Sequence, residues 1–147
     1  LKNGSVSTGA NGFGGESGSG KTPAGLLKVH KVFGSSPPAK KGTVFIYRAP
    51  TKIILGPNET SPRAADGHPA EVTTRVIQLD GLEKEKNGTS ISRGIYIHGT
   101  NRESRLGVPA SGGCIRVNND DVIELADSLI SKGDYVFIWD GSPRLEY

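Results

Sequence analysis

The chain has 147 residues but one cysteine, no methionine and few aromatics, which make up 6% of it. A single thiol excludes an internal disulfide framework, and no His-x-x-x-His or Cys-x-x-Cys spacing accompanies it, so neither a metal nor a cofactor is expected. No apolar run is long enough to span a membrane, so no membrane span is expected. Clustered positive charge is also missing. The net charge is +3, and the 18 Lys and Arg residues are spread along the chain, with Lys40-Lys41 the densest basic pair. A nucleic-acid surface shows basic clusters interleaved with aromatics, so nucleic acid is not an expected partner. With Leu1 first, no methionine and no visible signal peptide, the start is not expected to be a native initiation site.

Glycine and proline are plentiful. Twenty-one glycines, nine prolines and 34% apolar content in a chain of this length predict one domain over residues 1–147, mainly β with many turns. Residues 1–21 are rich in glycine and serine and read by composition as a flexible start. Alternation predicts a strand over Leu26–Phe33, with Leu27, Val29 and Phe33 on one side and Lys28 and His30 on the other. Further strands are expected over Thr43–Tyr47, Lys52–Leu55, Val72–Leu79, Ile95–Ile97 and Tyr135–Trp139, with a surface loop between Gly56 and Pro69. One helix is expected from Asn118 or Asn119 to about Ser131, its apolar face formed by Val122, Ile123, Leu125, Ala126, Leu129 and Ile130, with Gly133 ending it.

Gly15–Thr22 matches the phosphate-loop letters G-x-x-x-x-G-K-T. Such a loop needs a buried strand before it and a helix at the Lys-Thr. Glycine-rich sequence precedes this one and strand-like alternation follows, so the letters are read as a loop entering a strand.

The lone thiol is the most informative residue. Cys114 lies in Ser111-Gly112-Gly113-Cys114-Ile115-Arg116, sixteen positions after His98 at the end of Ile95-Tyr96-Ile97. A free cysteine is commonly a small buried hydrophobe. Here two glycines let the backbone approach a bound carbonyl, Arg116 is placed to favour a thiolate, and His98 supplies a base. Acyl transfer follows as the expected chemistry. His30 and His68 lie on a polar strand face and in a Gly-His-Pro loop, where exposure is the ordinary reading.

His98-Gly99-Thr100-Asn101 together with Ser111–Arg116 resembles the signature of the L,D-transpeptidase catalytic domain (YkuD-like) family. The similarity extends to Leu106–Ala110, Asn118–Asp121 and Ser19–Gly25. One position departs from the commonest pattern: Gly112 stands where a histidine is usual. The resemblance implies a mainly β sandwich or barrel with one main α-helix after the cysteine, and it makes Gly4–Thr8 a candidate strand ahead of the loop before Thr22-Pro23. It implies an enzyme acting on peptidoglycan stem peptides, in the periplasm or extracytoplasmic cell wall. Cys114 would be the nucleophile, His98 the base and the Gly99 carbonyl its orienting group, with the N–H groups of Gly113 and Cys114 as oxyanion donors. Ser111, Gly112, Arg116 and Tyr96 are the candidate substrate contacts; Ser111 and Arg116 read equally as support for the motif, Arg116 as half of a structural ion pair, and Tyr96, as a strand aromatic, more commonly as packing. Transfer to an amine, hydrolysis by the same residues, and a non-catalytic wall-binding domain all fit the sequence; retention of both His98 and Cys114 argues against the last.

Overall fold

A computed structural model describes residues 3–68 and 70–143. Seven strands form one sheet: β1 (Gly25–Phe33), β2 (Thr43–Ile46), β3 (Ala49–Ile54), β4 (Val72–Gly81), β5 (Tyr96–Thr100), β6 (Ile115–Arg116) and β7 (Tyr135–Ile138). The path runs β3-β2-β4-β1-β7, with β5 branching from β4 and β6 pairing parallel to β5. The fold is mainly β, as expected, and the sheet stays open rather than closing into a barrel. The main helix follows the cysteine as α3 (Asn119–Glu124) and continues through a π-turn over Leu125–Leu129.

Several boundaries move for physical reasons. β2 stops at Ile46 because Tyr47 turns the chain with φ +58°, and Ala49-Pro50, between the two expected strands, begins β3. Pro50 is tolerated because β3 is an edge strand, where one missing N–H need not break a ladder. β5 runs past Ile97 to Thr100, which puts His98 inside a strand. The candidate strand over Gly4–Thr8 is instead an isolated bridge between Ser7 and Arg116, and Leu1 and Lys2 lie outside the described residues. The loop from Gly56 holds a short 3-10 turn at Ala64–Asp66, and its expected end, Pro69, lies outside the described residues. Two one-turn helices, α1 (Lys84–Asn87) and α2 (Ser90–Arg93), join β4 to β5.

Register irregularities divide the core in two. A shift between Val29 and Lys31 in β1 changes its phase, so Val32 joins Leu27, Val29, Ile77 and Leu79, whereas Phe33 packs with Phe45, Val76 and Tyr96. Phe33 therefore leaves the face that strict alternation assigns it. Val122 and Ala126 anchor the helix to the first cluster. Asn118 caps α3 by accepting from the Asp121 N–H at 2.7 Å. Beyond Glu124 the π-turn widens the winding, and Leu129, expected in the core, is 50% exposed.

Candidate active site

Strand β4 carries a second irregularity, between Thr73 and Val76, directly across from Gly99 and His98 on β5. Thr74 sits there at φ +75°, a strained value for a β-branched residue. Its neighbours hold it: Thr74 and Thr73 hydroxyls both donate to Asn119 Oδ1, and Gly42 N–H donates to Thr74 Oγ1. Arg75, 2% exposed, forks onto both oxygens of Asp127 at 3.0 Å, tying the bulge to the π-turn. Gly99 must lack a side chain, since a Cβ would stand 2.5 Å from Asn119 Oδ1 and 2.6 Å from the Thr73 carbonyl. The bulge thus fixes β5 where His98 projects.

His98 is 4% exposed, and its Nδ1 lies 2.5 Å from the Gly99 carbonyl oxygen. A carbonyl can only accept, so the proton resides on Nδ1 and Nε2 keeps a lone pair. Burial lowers the imidazole pKa to about 4, the Gly99 carbonyl partly opposing and Arg116 adding to the drop. The ring is a neutral base with a fixed tautomer.

Parallel pairing of Ile97 with Ile115 and His98 with Arg116 brings the cysteine loop alongside β5. The Cys114 thiol donates to the Gly94 carbonyl and accepts the Tyr96 N–H, each at 3.3 Å. Burial raises the thiol pKa; the Tyr96 N–H, Arg116 and Arg93 oppose the rise and do not cancel it. The expectation that Arg116 favours a thiolate has the right sign for that residue, but desolvation outweighs it. The resting pair is a neutral thiol and a neutral imidazole.

The loop before Cys114 is held by its own atoms and by the N-terminal arm. Ser111 Oγ donates to the Cys114 carbonyl at 2.6 Å and accepts the Gly113 N–H at 3.1 Å. Of the two expected oxyanion donors, Gly113 N–H is therefore committed to Ser111. Cys114 N–H has no acceptor among the described residues. Gly113 adopts φ +130°, and its carbonyl accepts from the buried Thr22 hydroxyl at 2.8 Å, which in turn accepts the Gly9 N–H. This is what the phosphate-loop letters do here. β1 rather than a helix follows Lys21-Thr22, and Thr22 pins the cysteine loop.

Two cavities meet at Cys114 and Gly112. One, of about 200 Å³, is lined by Ala70, Glu71, Val72, His98, Ser111, Gly112, Cys114 and Arg116. In it Glu71 is neutralised by a two-pronged bond from Arg63, at 2.9 and 2.8 Å, and its N–H donates to Asn101 Oδ1. The Arg116 guanidinium makes no ion pair among the described residues, and Arg105 and Arg102 reinforce the local positive charge. The other cavity, of about 350 Å³, is lined by Gly18, Gly20, Arg93, Ile95, Gly112 and Cys114. A cavity of about 210 Å³ between Gly4–Val6 and Leu125 and Leu129 is lined by neither Cys114 nor a histidine.

The structure therefore brings Cys114, His98, Ser111, Gly112 and Arg116 together around one cavity and sets the Gly99 carbonyl on the imidazole. Tyr96 is different. Its ring is 7% exposed and packs with Phe45 and Val76, so it meets the site through its N–H and not as a cleft wall. Thr22 and Arg93, to which the motif reading gives no part in the site, are supplied by the arm and by α2.

Residues 1–138 match the family model of the L,D-transpeptidase catalytic domain, YkuD, and the chain belongs to that family. A 50-residue segment is 50% identical to YkuD of Bacillus subtilis, covering 33% of this chain and 30% of that protein. YqjB of the same organism is 46% identical over 50 residues, 34% of this chain and 28% of its own. An L,D-transpeptidase structure from Mycobacterium smegmatis shares the fold, with TM-score 0.54 and 17% identity over 95% of this chain and 49% of that one. The matches thus take in less than a third of the curated relatives and about half of the solved chain. Among the described residues, no helix is long and apolar enough to cross a membrane.

Proposed function

We propose that this chain is a cysteine-dependent peptidoglycan L,D-transpeptidase acting in the extracytoplasmic cell wall. The observation that carries the reading is the imidazole fixed by the Gly99 carbonyl, with a basic Nε2, in the same cavity as the chain's only thiol. His98 removes the thiol proton as Cys114 Sγ attacks the carbonyl carbon of the L-centre in a tetrapeptide stem. The oxyanion receives the Cys114 N–H, while Ser111 and Thr22 hold the loop that presents it. Collapse breaks the C–N bond, the departing D-amino acid takes the proton from His98, and a thioester remains on Cys114. An acceptor amine then gives its proton to His98, attacks the thioester and restores the thiol. Arg116 and Gly112 border the peptide on the His98 side.

The test is incubation of the protein and of its Cys114→Ala variant with disaccharide-tetrapeptide, read by mass spectrometry. Cross-linked dimer and a thioester adduct on the wild type alone are expected. Tripeptide without dimer would make the enzyme an L,D-carboxypeptidase, with water as the acceptor. No Cys114-dependent product from any stem peptide would overturn the enzyme reading.

A further inference from the structure

The cavity on the far side of Cys114 from His98 contains a charge that the mechanism above does not use. Arg93 ends α2, and its guanidinium is held by the Gly14 carbonyl at 3.3 Å and by the Lys21 carbonyl. It makes no ion pair among the described residues, so these neutral carbonyls fix the cation without neutralising it. The fork has five N–H donors, and these bonds take only two. A Cβ built on Gly113 would stand 3.3 Å from Arg93 Nη2, so the cation lies against the cysteine loop.

The remaining walls favour a polar ligand close to the main chain. Gly18 and Gly20 face the cavity without side chains, at φ +76° and +69°, and Ile95 and Gly112 add no charge. Among the described residues, Arg93 is thus the single charged side chain lining about 350 Å³ of space that Cys114 also lines. A planar guanidinium with unused donors matches a carboxylate, whose two oxygens accept in parallel.

We propose that this cavity is a carboxylate subsite and that Arg93 binds the C-terminal carboxylate of the acyl donor, resting on the transpeptidase reading above. The carboxylate belongs to the D-amino acid that leaves, one residue beyond the attacked carbonyl. Arg93 thereby sets which carbonyl meets Sγ and distinguishes a stem ending in a free acid from one ending in an amide. A stem also carries a carboxylate where its third residue is an acidic diamino acid, and the test separates the two sources.

Equilibrium binding is measured by calorimetry on the Cys114→Ala protein, with and without Arg93→Gln, using three tetrapeptides: the free acid, the C-terminal amide, and the free acid amidated only at the third residue. The free acid is expected to bind about 10- to 100-fold more tightly than the C-terminal amide, and Arg93→Gln to erase that ratio. Third-residue amidation is expected to leave the ratio intact. A merely structural Arg93, needed only to hold the arm, would weaken all three peptides equally, which would overturn the proposal. So would equal affinity of acid and amide, no measurable binding, or sensitivity to third-residue amidation alone. Arg93→Lys is expected to restore part of the acid preference. Acid-selective binding without Cys114-dependent turnover would refute the transpeptidase reading while leaving the subsite standing.

Discussion

The two cavities that meet at Cys114 are built from different material. On the His98 side one residue each of β4, β5 and β6 joins the turn before β4 and the cysteine loop, and the base is immobilised by a bulge, Asn119 and the Gly99 carbonyl. On the Arg93 side they come from the glycine-rich arm and the end of α2, held by main-chain carbonyls and by Thr22. The sheet supplies a neutral base whose proton position is fixed. The arm supplies space and the carbonyls that hold the cation of α2. The contrast suggests that proton transfer depends on the ladder, while selection of the donor depends on a segment with almost no regular structure of its own.

The largest expected effect falls on the sheet side. His98→Gln retains a group able to donate to the Gly99 carbonyl but removes the base, and is expected to reduce turnover by about 10²- to 10⁴-fold. Wild-type kcat/KM is expected to lose activity on the acid side only near pH 4, where the imidazole protonates. Stability follows the same group. Because the folded pKa of about 4 lies below the ordinary 6.5, the unfolded chain binds the extra proton between those values. Stability is therefore full above pH 6.5 and falls as pH drops toward 4. The gap corresponds to roughly 3 kcal/mol, which wild type should lose relative to His98→Gln when denaturation is measured at both ends of the window. Equal pH dependence in the two proteins would mean that His98 is not the buried neutral group that the geometry makes it.

On the arm side the expected effect is smaller. Thr22→Val keeps the shape but removes a fully buried hydroxyl, leaving the Gly113 carbonyl and the Gly9 N–H without partners. A loss of about 1–3 kcal/mol is expected in denaturant unfolding, with turnover falling as the cysteine loop loosens. Unchanged stability and turnover would show that the arm merely lies beside the site.

The same contrast explains how much was legible. Cys114 and His98 stand out because each belongs to a local pattern: glycines before a thiol, and a histidine in an apolar run. The main strands follow from alternation, and the start of the helix from Asn118. The arm misleads because composition records its glycine and serine content but not the partners that bury Ser7 and Thr22. Arg93 is silent for a related reason. It ends a four-residue helix, too short for any period, and its cavity is completed by residues more than seventy positions earlier. Phe33 and Leu129 change faces because a bulge and a π-turn each alter a phase that periodicity assumes constant.

The smallest effect tests the point where the two cavities touch. Gly112 lines both, is exposed, and has open space around the position of a Cβ. Gly112→His, which restores the residue more usual in the family, is therefore expected to fold with stability within about 0.5 kcal/mol of wild type. The new ring would stand at the junction beside the thioester and crowd an incoming peptide amine more than a water molecule. The ratio of cross-linked dimer to tripeptide is expected to fall, while the initial release of the D-amino acid, which precedes entry of the acceptor, changes little. Measuring dimer and tripeptide from one digest separates these steps. An unchanged ratio would mean that the acceptor does not pass Gly112, and that the two cavities are separate rather than joined at the thiol.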